Sequence, residues 1–330
     1  MAEIVYTPLP PPPVPADYTR PDDLNPKQEE MLKAVLAHFS TAEYVIPGLD
    51  TEKSTLTEDE KFWLSYECLL RYLRAIKWKS AEEAIRRLEE TLKWRREYGL
   101  YDLITAEHVE PEAVTGKSIL FGYDTSRRPG YYMIPSRQNT KEPDDPNAPN
   151  PQVHFVVWTL ERAIDMMGAG VESLDLLINF ADKGKNPSLG VAMKVLNILQ
   201  NHYPERLGLA LILNVPWFVD MFFTMVKPFI DPITRPKMKF NPKVIEDDIF
   251  TPDMVMSEWT DQGCKFEYKH EKYWPALVSM CEERRKQQME KWRELGGTVG
   301  LKEWDIRGGQ GVLENGKAEV AVDEAKEVSA

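Results

Sequence analysis

Apolar side chains recur three and four apart over roughly the first hundred residues, then gather into short unbroken runs, and this change of period divides the chain. Residues 28–39 read as a short helix. Thr57-Glu58-Asp59-Glu60 has the form of a capping box, in which the Thr hydroxyl and the Glu carboxylate satisfy backbone N–H groups that a first helical turn leaves open. The run behind it, through Leu64, Leu69, Leu70 and Leu73, keeps helical spacing. Ser80-Ala81-Glu82-Glu83 is a second such box, followed by Ile85, Leu88 and Leu92 on one face and Gly99 as the stop. An N-terminal helical subdomain over 27–105 follows from this pattern.

Near Ile119 the pattern switches. Residues 131–134, 174–180 and 209–215 are short apolar runs, separated by helical stretches at 154–167, 188–202 and 217–226. Strands spaced by helices of that length pair in parallel, so 106–298 is expected to be an α/β lobe with a mostly parallel sheet. A further amphipathic helix is expected from Tyr273 to about Leu295, and 141–151 reads as a surface loop. At the ends, the prolines of 1–26 predict an extended or disordered arm, and 299–330 is Gly-rich, then acidic, as a frayed tail is.

Length and charge narrow the function classes. A chain of 330 residues is one large domain with a smaller one, or two, at roughly 100–200 residues each. With 53 acidic against 41 basic side chains, its net charge of −12 argues against nucleic acid as a partner, while leaving room for a local basic pocket. Cys68, Cys264 and Cys281 lie far apart without a CxxC, so neither a disulfide framework nor a zinc module is expected and a reducing cytoplasm is the default. The first residues lack a signal-peptide pattern. Residues 207–230 are apolar enough to suggest a membrane span, but Asn214, Pro216, Asp220 and Lys227 interrupt them, so a buried strand running into a helix is expected instead. No nucleophile elbow, P-loop or zinc-protease motif occurs, and His38, His108, His154, His202 and His270 show no ligand-like spacing. Neither an enzyme nor a metal or cofactor protein is expected.

The informative residues are Asn201-His202-Tyr203-Pro204-Glu205-Arg206-Leu207-Gly208 and Lys227-Pro228-Phe229-Ile230-Asp231-Pro232-Ile233-Thr234-Arg235-Pro236-Lys237, with Leu69-Leu70-Arg71-Tyr72-Leu73-Arg74-Ala75 and Lys93-Trp94-Arg95-Arg96-Glu97-Tyr98-Gly99 before them. In this order, across roughly residues 55–295, the chain resembles the CRAL-TRIO lipid-binding family, and within it the fungal phosphatidylinositol transfer proteins. Lys269-His270-Glu271-Lys272-Tyr273-Trp274-Pro275-Ala276-Leu277 is similar to the branch linked to azole tolerance and sterol homeostasis. The resemblance implies a sheet flooring an apolar lipid pocket, with a gating helix over its mouth.

It also implies a headgroup site. A phosphodiester beside a ring of hydroxyls calls for cations, a hydroxyl donor and carboxylate acceptors. The positions that carry over are Asp124, Glu205, Arg206, Thr234 and Lys237. Where the family motif often has a second Arg near the phosphate this chain has Ile76, and Lys77 beside it is the substitute. Without that context, Glu205-Arg206 reads equally as a surface ion pair. The gating helix carries over as Trp217, Phe218, Met221, Phe222, Phe223 and Met225, a stretch that composition alone reads as a buried core helix. The pocket wall carries over as Tyr131, Leu174, Leu176 and Ile178, with Leu174 and Leu176 where phosphatidylcholine-carrying relatives place hydroxyls; plain sheet packing is the alternative. The function implied is binding and transfer of phosphatidylinositol between membranes by a cytoplasmic, peripherally associating protein, with presentation to phosphoinositide kinases by analogy. A sterol or azole carrier using the same pocket is the alternative, and a scaffold that recruits a partner through its prolines is a third reading.

Overall fold

The structure is a computed structural model that describes residues 4–16, 18, 24–50, 54–141, 143, 145, 148–181, 189–215 and 235–309. The helical subdomain begins with α1 (Pro26–Ser40), capped by Asn25 and Gln28 in a reciprocal box. The box at Thr57 forms as the sequence predicts and starts α2 (Glu58–Trp63). The helix does not continue through Leu64, which leaves the helical region at ψ 50°. Ser65 then caps a separate α3 (Tyr66–Ala75), accepting from Cys68 N at 3.1 Å. A Ser between two apolar turns competes for backbone N–H groups, and here the cap wins over continuity. At α4 (Ala81–Glu97) only half of the second box forms, Ser80 accepting from Glu83 N; Gly99 ends the region at φ +77°. Leu32, Val35, Phe39, Leu69, Leu73 and Leu88 close one core among these helices.

After α5 (Ala106–Ala113) comes the lobe. Its sheet has the order β1 (Ser118–Tyr123), β2 (Pro129–Met133), β3 (Leu174–Asn179), β4 (Leu207–Leu213) and β5 (Met238–Phe240). Only β1–β2 is antiparallel. The crossovers run through α6 (Pro151–Asp165) and α7 (Leu189–His202). α6 starts earlier than its apolar spacing suggests because Asn150 caps it and Pro151 takes the first position, where a missing N–H costs nothing. α8 (His270–Glu294) packs along the lobe, and its Tyr273 hydroxyl donates to Leu120 O at 2.9 Å and accepts from Leu120 N at 2.7 Å.

Both ends depart from expectation. The described part of the proline-rich arm is extended, but seated on the lobe rather than solvated. Val5 N donates to Lys265 O at 2.9 Å, and Leu9 O accepts from the Tyr123 hydroxyl at 3.2 Å. Two apolar residues anchor the segment, a signal its proline count hides. The expected tail also folds back as far as residue 309. Tyr66 N donates to Leu301 O at 3.0 Å, and a short α9 (Glu303–Ile306) buries Trp304 and Ile306. Tyr18 of the arm stacks on Trp304, ring centres 5.4 Å apart, so the two ends meet.

Candidate headgroup site and apolar sheet face

Strand alternation splits the sheet into unlike faces. On one, Tyr132, Leu177 and Leu211 lie in register and are completely buried, closed by Val244, Val255 and Trp259. On the other, Tyr131, Leu176, Ala210 and Met238 form one cross-strand row and Met133, Ile178, Ile212 and Phe240 the next. Leu176, Ile178, Met133 and Met238 are only half-buried there, and Phe240 is exposed. This is the face on which the pocket wall was expected. Leu174 differs from Leu176: it is buried in the core. The Tyr131 hydroxyl donates to Ser118 Oγ at 3.3 Å and is held inside the protein.

The polar half of the site is built on the turn from α7 into β4. Its anchor is Tyr203, whose hydroxyl donates to Glu161 at 2.7 Å; Arg95 grips the same carboxylate at 2.8 and 3.2 Å. Burial works against the Glu161 charge, but Arg95 outweighs it and holds the carboxyl at about 2. His202 stacks on Trp94 at 4.1 Å between ring centres, and burial, with Arg87 and Arg95 nearby, pushes it down to about 4, so it is neutral at pH 7. The helical subdomain thus clamps Tyr203, and the next residue but one, Glu205, projects half-exposed with φ +60°. A non-glycine residue in that region is strained and is kept there by its surroundings.

Around Glu205 the structure gathers several cations. Arg74 Nε lies 4.0 Å from Glu205 Oε2. Lys237 Nζ donates to Leu207 O at 2.6 Å. At Gly208 a Cβ would sit 2.5 Å from Asp175 Oδ1 and 2.6 Å from Arg128 Cδ, so only glycine lets β4 approach them. The register there advances three residues on β4 against two on β3, a bulge at the same glycine.

Three expected headgroup residues fall differently. Asp124 is buried, accepting from Arg128 N at 2.6 Å, with the Arg128 guanidinium 3.6 Å from its other oxygen and 3.8 Å from Asp175. Burial raises the carboxyl of Asp124, and burial together with Asp124 raises that of Asp175, so the pair holds on to a proton above the usual carboxylate range. Arg128, about a third exposed, is the outward group of this trio. Arg206 turns inward: its guanidinium donates to Glu172 O at 2.8 Å and Met167 Sδ at 3.7 Å, and burial lowers its pKa to about 10. That takes Arg206 out of reach of a headgroup. Lys77 is exposed just past the end of α3, while Ile76 before it is buried in the helical core. Thr234 and the gating-helix residues Trp217, Phe218, Met221, Phe222, Phe223 and Met225 lie outside the described residues.

Arg74 and Arg128 are not among the expected site residues, although Arg74 stands inside the Leu69–Ala75 motif; spacing carries no information on the direction of their side chains. Sequence spacing also hid a histidine contact, His108 Nε2 to His154 Nδ1 at 2.9 Å. Among the described residues no group of three or more His, Cys, Asp and Glu side chains is arranged to hold a metal ion, and no helix is long and apolar enough to cross a membrane. What the arrangement offers is cations and one strained carboxylate at the edge of an apolar face.

Residues 113–259 match the CRAL/TRIO domain and residues 31–90 the CRAL/TRIO N-terminal domain. A CRAL-TRIO domain-containing protein of Schizosaccharomyces pombe is 44% identical over 295 residues, 88% of this chain but only 28% of that protein. Phosphatidylinositol transfer protein PDR17 of Saccharomyces cerevisiae is 37% identical over 318 residues, covering 89% of this chain and 88% of that one. SEC14 cytosolic factor of Candida glabrata is 29% identical over 188 residues, 52% of this chain and 61% of that protein.

Proposed function

The chain belongs to the CRAL/TRIO family, and from that premise we propose that it binds phosphatidylinositol and transfers it between membranes. The observation that carries this reading is the pairing of two surfaces on the same strands. The half-buried face of Leu176, Ile178 and Met133 lies on strands whose opposite end, at Leu207, follows the turn with Arg74 beside Glu205, Lys237 on Leu207 O and Arg128 at Gly208. An acyl chain gains roughly 0.8 kcal/mol per CH₂ on leaving water, yet in a bilayer it is already in an apolar surrounding. Extraction is then near-balanced, and selectivity rests on the headgroup. Similarity to the phosphatidylinositol transfer protein PDR17 supports inositol as that headgroup.

In this reading the protein turns nothing over; the lipid is its ligand and no cofactor takes part. Glu205 accepts from inositol hydroxyls, Lys237 and Thr234 face the phosphate side, and Lys77 lies at the rim. By resemblance to the family, residues 217–226 are assigned the role of covering the chains and meeting the bilayer during exchange, and the protein is assigned to the cytoplasm with transient membrane contact. Phosphatidylcholine is excluded, because of the two positions expected to carry hydroxyls for its phosphate Leu174 is buried in the core and Leu176 offers the wall only methyl groups. Native mass spectrometry of the purified protein tests the reading: a mass increment of one phosphatidylinositol is expected. A sterol alone, or phosphatidylcholine, would contradict it.

A further inference from the structure

Behind the turn runs a chain of alternating charges. Glu303 Oε1 meets Arg71 Nη2 at 2.6 Å, Arg71 Nη1 meets Glu172 Oε2 at 2.9 Å, and Arg74 Nη2 meets the same oxygen at 2.8 Å. The last step, Arg74 Nε to Glu205 Oε2, is 4.0 Å and too long for a hydrogen bond. The inner members are buried and the outer ones half-exposed: the Glu303 and Arg71 side chains are 11% and 3% exposed, Arg74 and Glu205 32% and 28%. At its inner end Glu303 also takes the Ser65 hydroxyl at 2.7 Å and Arg307 at 3.0 Å. The inner links are closed and the outer one is open.

Of the other basic groups nearby, Arg206 points inward to Glu172 O, whereas Lys237, which donates to Leu207 O, keeps two further donors for an anion. Ile76 is buried with the helical core and offers no charge. Arg74 is held from behind by Glu172 and presents Nε toward the gap before Glu205. A cation and a carboxylate held apart by that gap match a phosphodiester joined to a polyol, the cation taking phosphate oxygens and the carboxylate accepting from hydroxyls.

We propose that Arg74 is the cation that takes the lipid's phosphodiester, poised by the ion chain Glu303–Arg71–Glu172 behind it. This rests on the phosphatidylinositol reading above. Glu172 keeps Arg71 when Arg74 is replaced, so the fold survives the change.

The test uses the full chain and vesicles with increasing mole fractions of phosphatidylinositol, measuring the fraction that half-saturates transfer. Arg74→Gln should raise it about tenfold or more, the loss expected for a charge-assisted pair, while Arg74→Lys stays within about threefold. Both variants should melt within a few degrees of the parent, and Arg86→Gln, from an exposed pair with Glu90 on α4, should behave as the parent does. A parent that transfers phosphatidylinositol beside an Arg74→Gln variant with unchanged half-saturation overturns this assignment and leaves the proposed function standing. Equal losses in Gln and Lys variants that follow a lowered melting temperature also overturn it, because the role is then structural. A parent that transfers no phosphatidylinositol overturns both.

Discussion

The two faces of the sheet are built from the same strands and the same residue types, yet the central row of one is fully closed while the other, closed at Tyr131, Ala210 and Ile212, stays half-buried along β3. Tyr132, Leu177 and Leu211 are each at 0% exposure under a lid of the chain's own residues, while Leu176 and Ile178, their neighbours along β3, remain half-buried. The first face holds the lobe together; the second keeps apolar area for something else. Two arginines of the helical subdomain repeat the contrast. Arg95 makes a two-pronged grip on Glu161 with its side chain 6% exposed, whereas Arg74 is 32% exposed and stops 4.0 Å short of Glu205. Completed contacts carry stability, and incomplete ones carry function.

The sharpest way to break this contrast is to place a charge on each face. Leu211→Asp puts an unpaired carboxylate in a closed core and should cost about 4 kcal/mol or more, leaving little folded protein in a denaturant titration. Leu176→Asp should cost less than half of that and still fold, but lose lipid pickup from vesicles. Equal destabilisation by both would erase the distinction between the faces.

Next in size is the turn. Glu205→Ala and Lys237→Ala should each slow phosphatidylinositol transfer about tenfold or more, because inositol hydroxyls and phosphate lose their partners. Glu205→Gly sharpens the point. At φ +60° glycine is unstrained, so this variant should be about 1 kcal/mol more stable than Glu205→Ala while transferring as poorly. If the glycine variant transfers normally, the strain serves no ligand.

The smallest effect concerns the closed pair Asp124 and Asp175. The folded-state pKa of Asp175 is raised above its unfolded value by burial and by Asp124, so its protonated form favours folding. That contribution is complete at acid pH and fades as pH rises through the raised pKa, by at most about 1.4 kcal/mol per pH unit. Thermal melts of the parent should therefore fall from pH 6 to pH 9 more steeply than those of Asp175→Asn, whose side-chain oxygen can still accept from Leu209 N. Parallel slopes would mean the pair holds no such proton.

Much of this was legible in the sequence. Period and caps placed β2, β3, β4 and the helices α1, α4, α6, α7 and α8 within a few residues, since both depend on local backbone chemistry, but gave no sign of α5 or β5 and ran α2 into α3. The motif around Tyr203-Pro204-Glu205 pointed to the turn at which Arg74 and Glu205 meet, where the proposed site lies. What spacing could not supply was side-chain direction over long range. Arg206 lies next to Glu205 yet turns into the protein toward Glu172 O, and Asp124 sits beneath Arg128 rather than in front of it. The arm and the segment after Thr298 carry little local signal, and they are fixed by single anchors such as Val5, Tyr18 and Trp304 that matter only once the lobe exists.

The central claim is that an apolar face beside this polar turn selects one headgroup. Its most direct test is transfer between vesicles that carry labelled phosphatidylinositol and labelled phosphatidylcholine in the same assay. Phosphatidylinositol should move and phosphatidylcholine should stay with the donor vesicles. Comparable rates for the two, or no movement of phosphatidylinositol, would contradict the account.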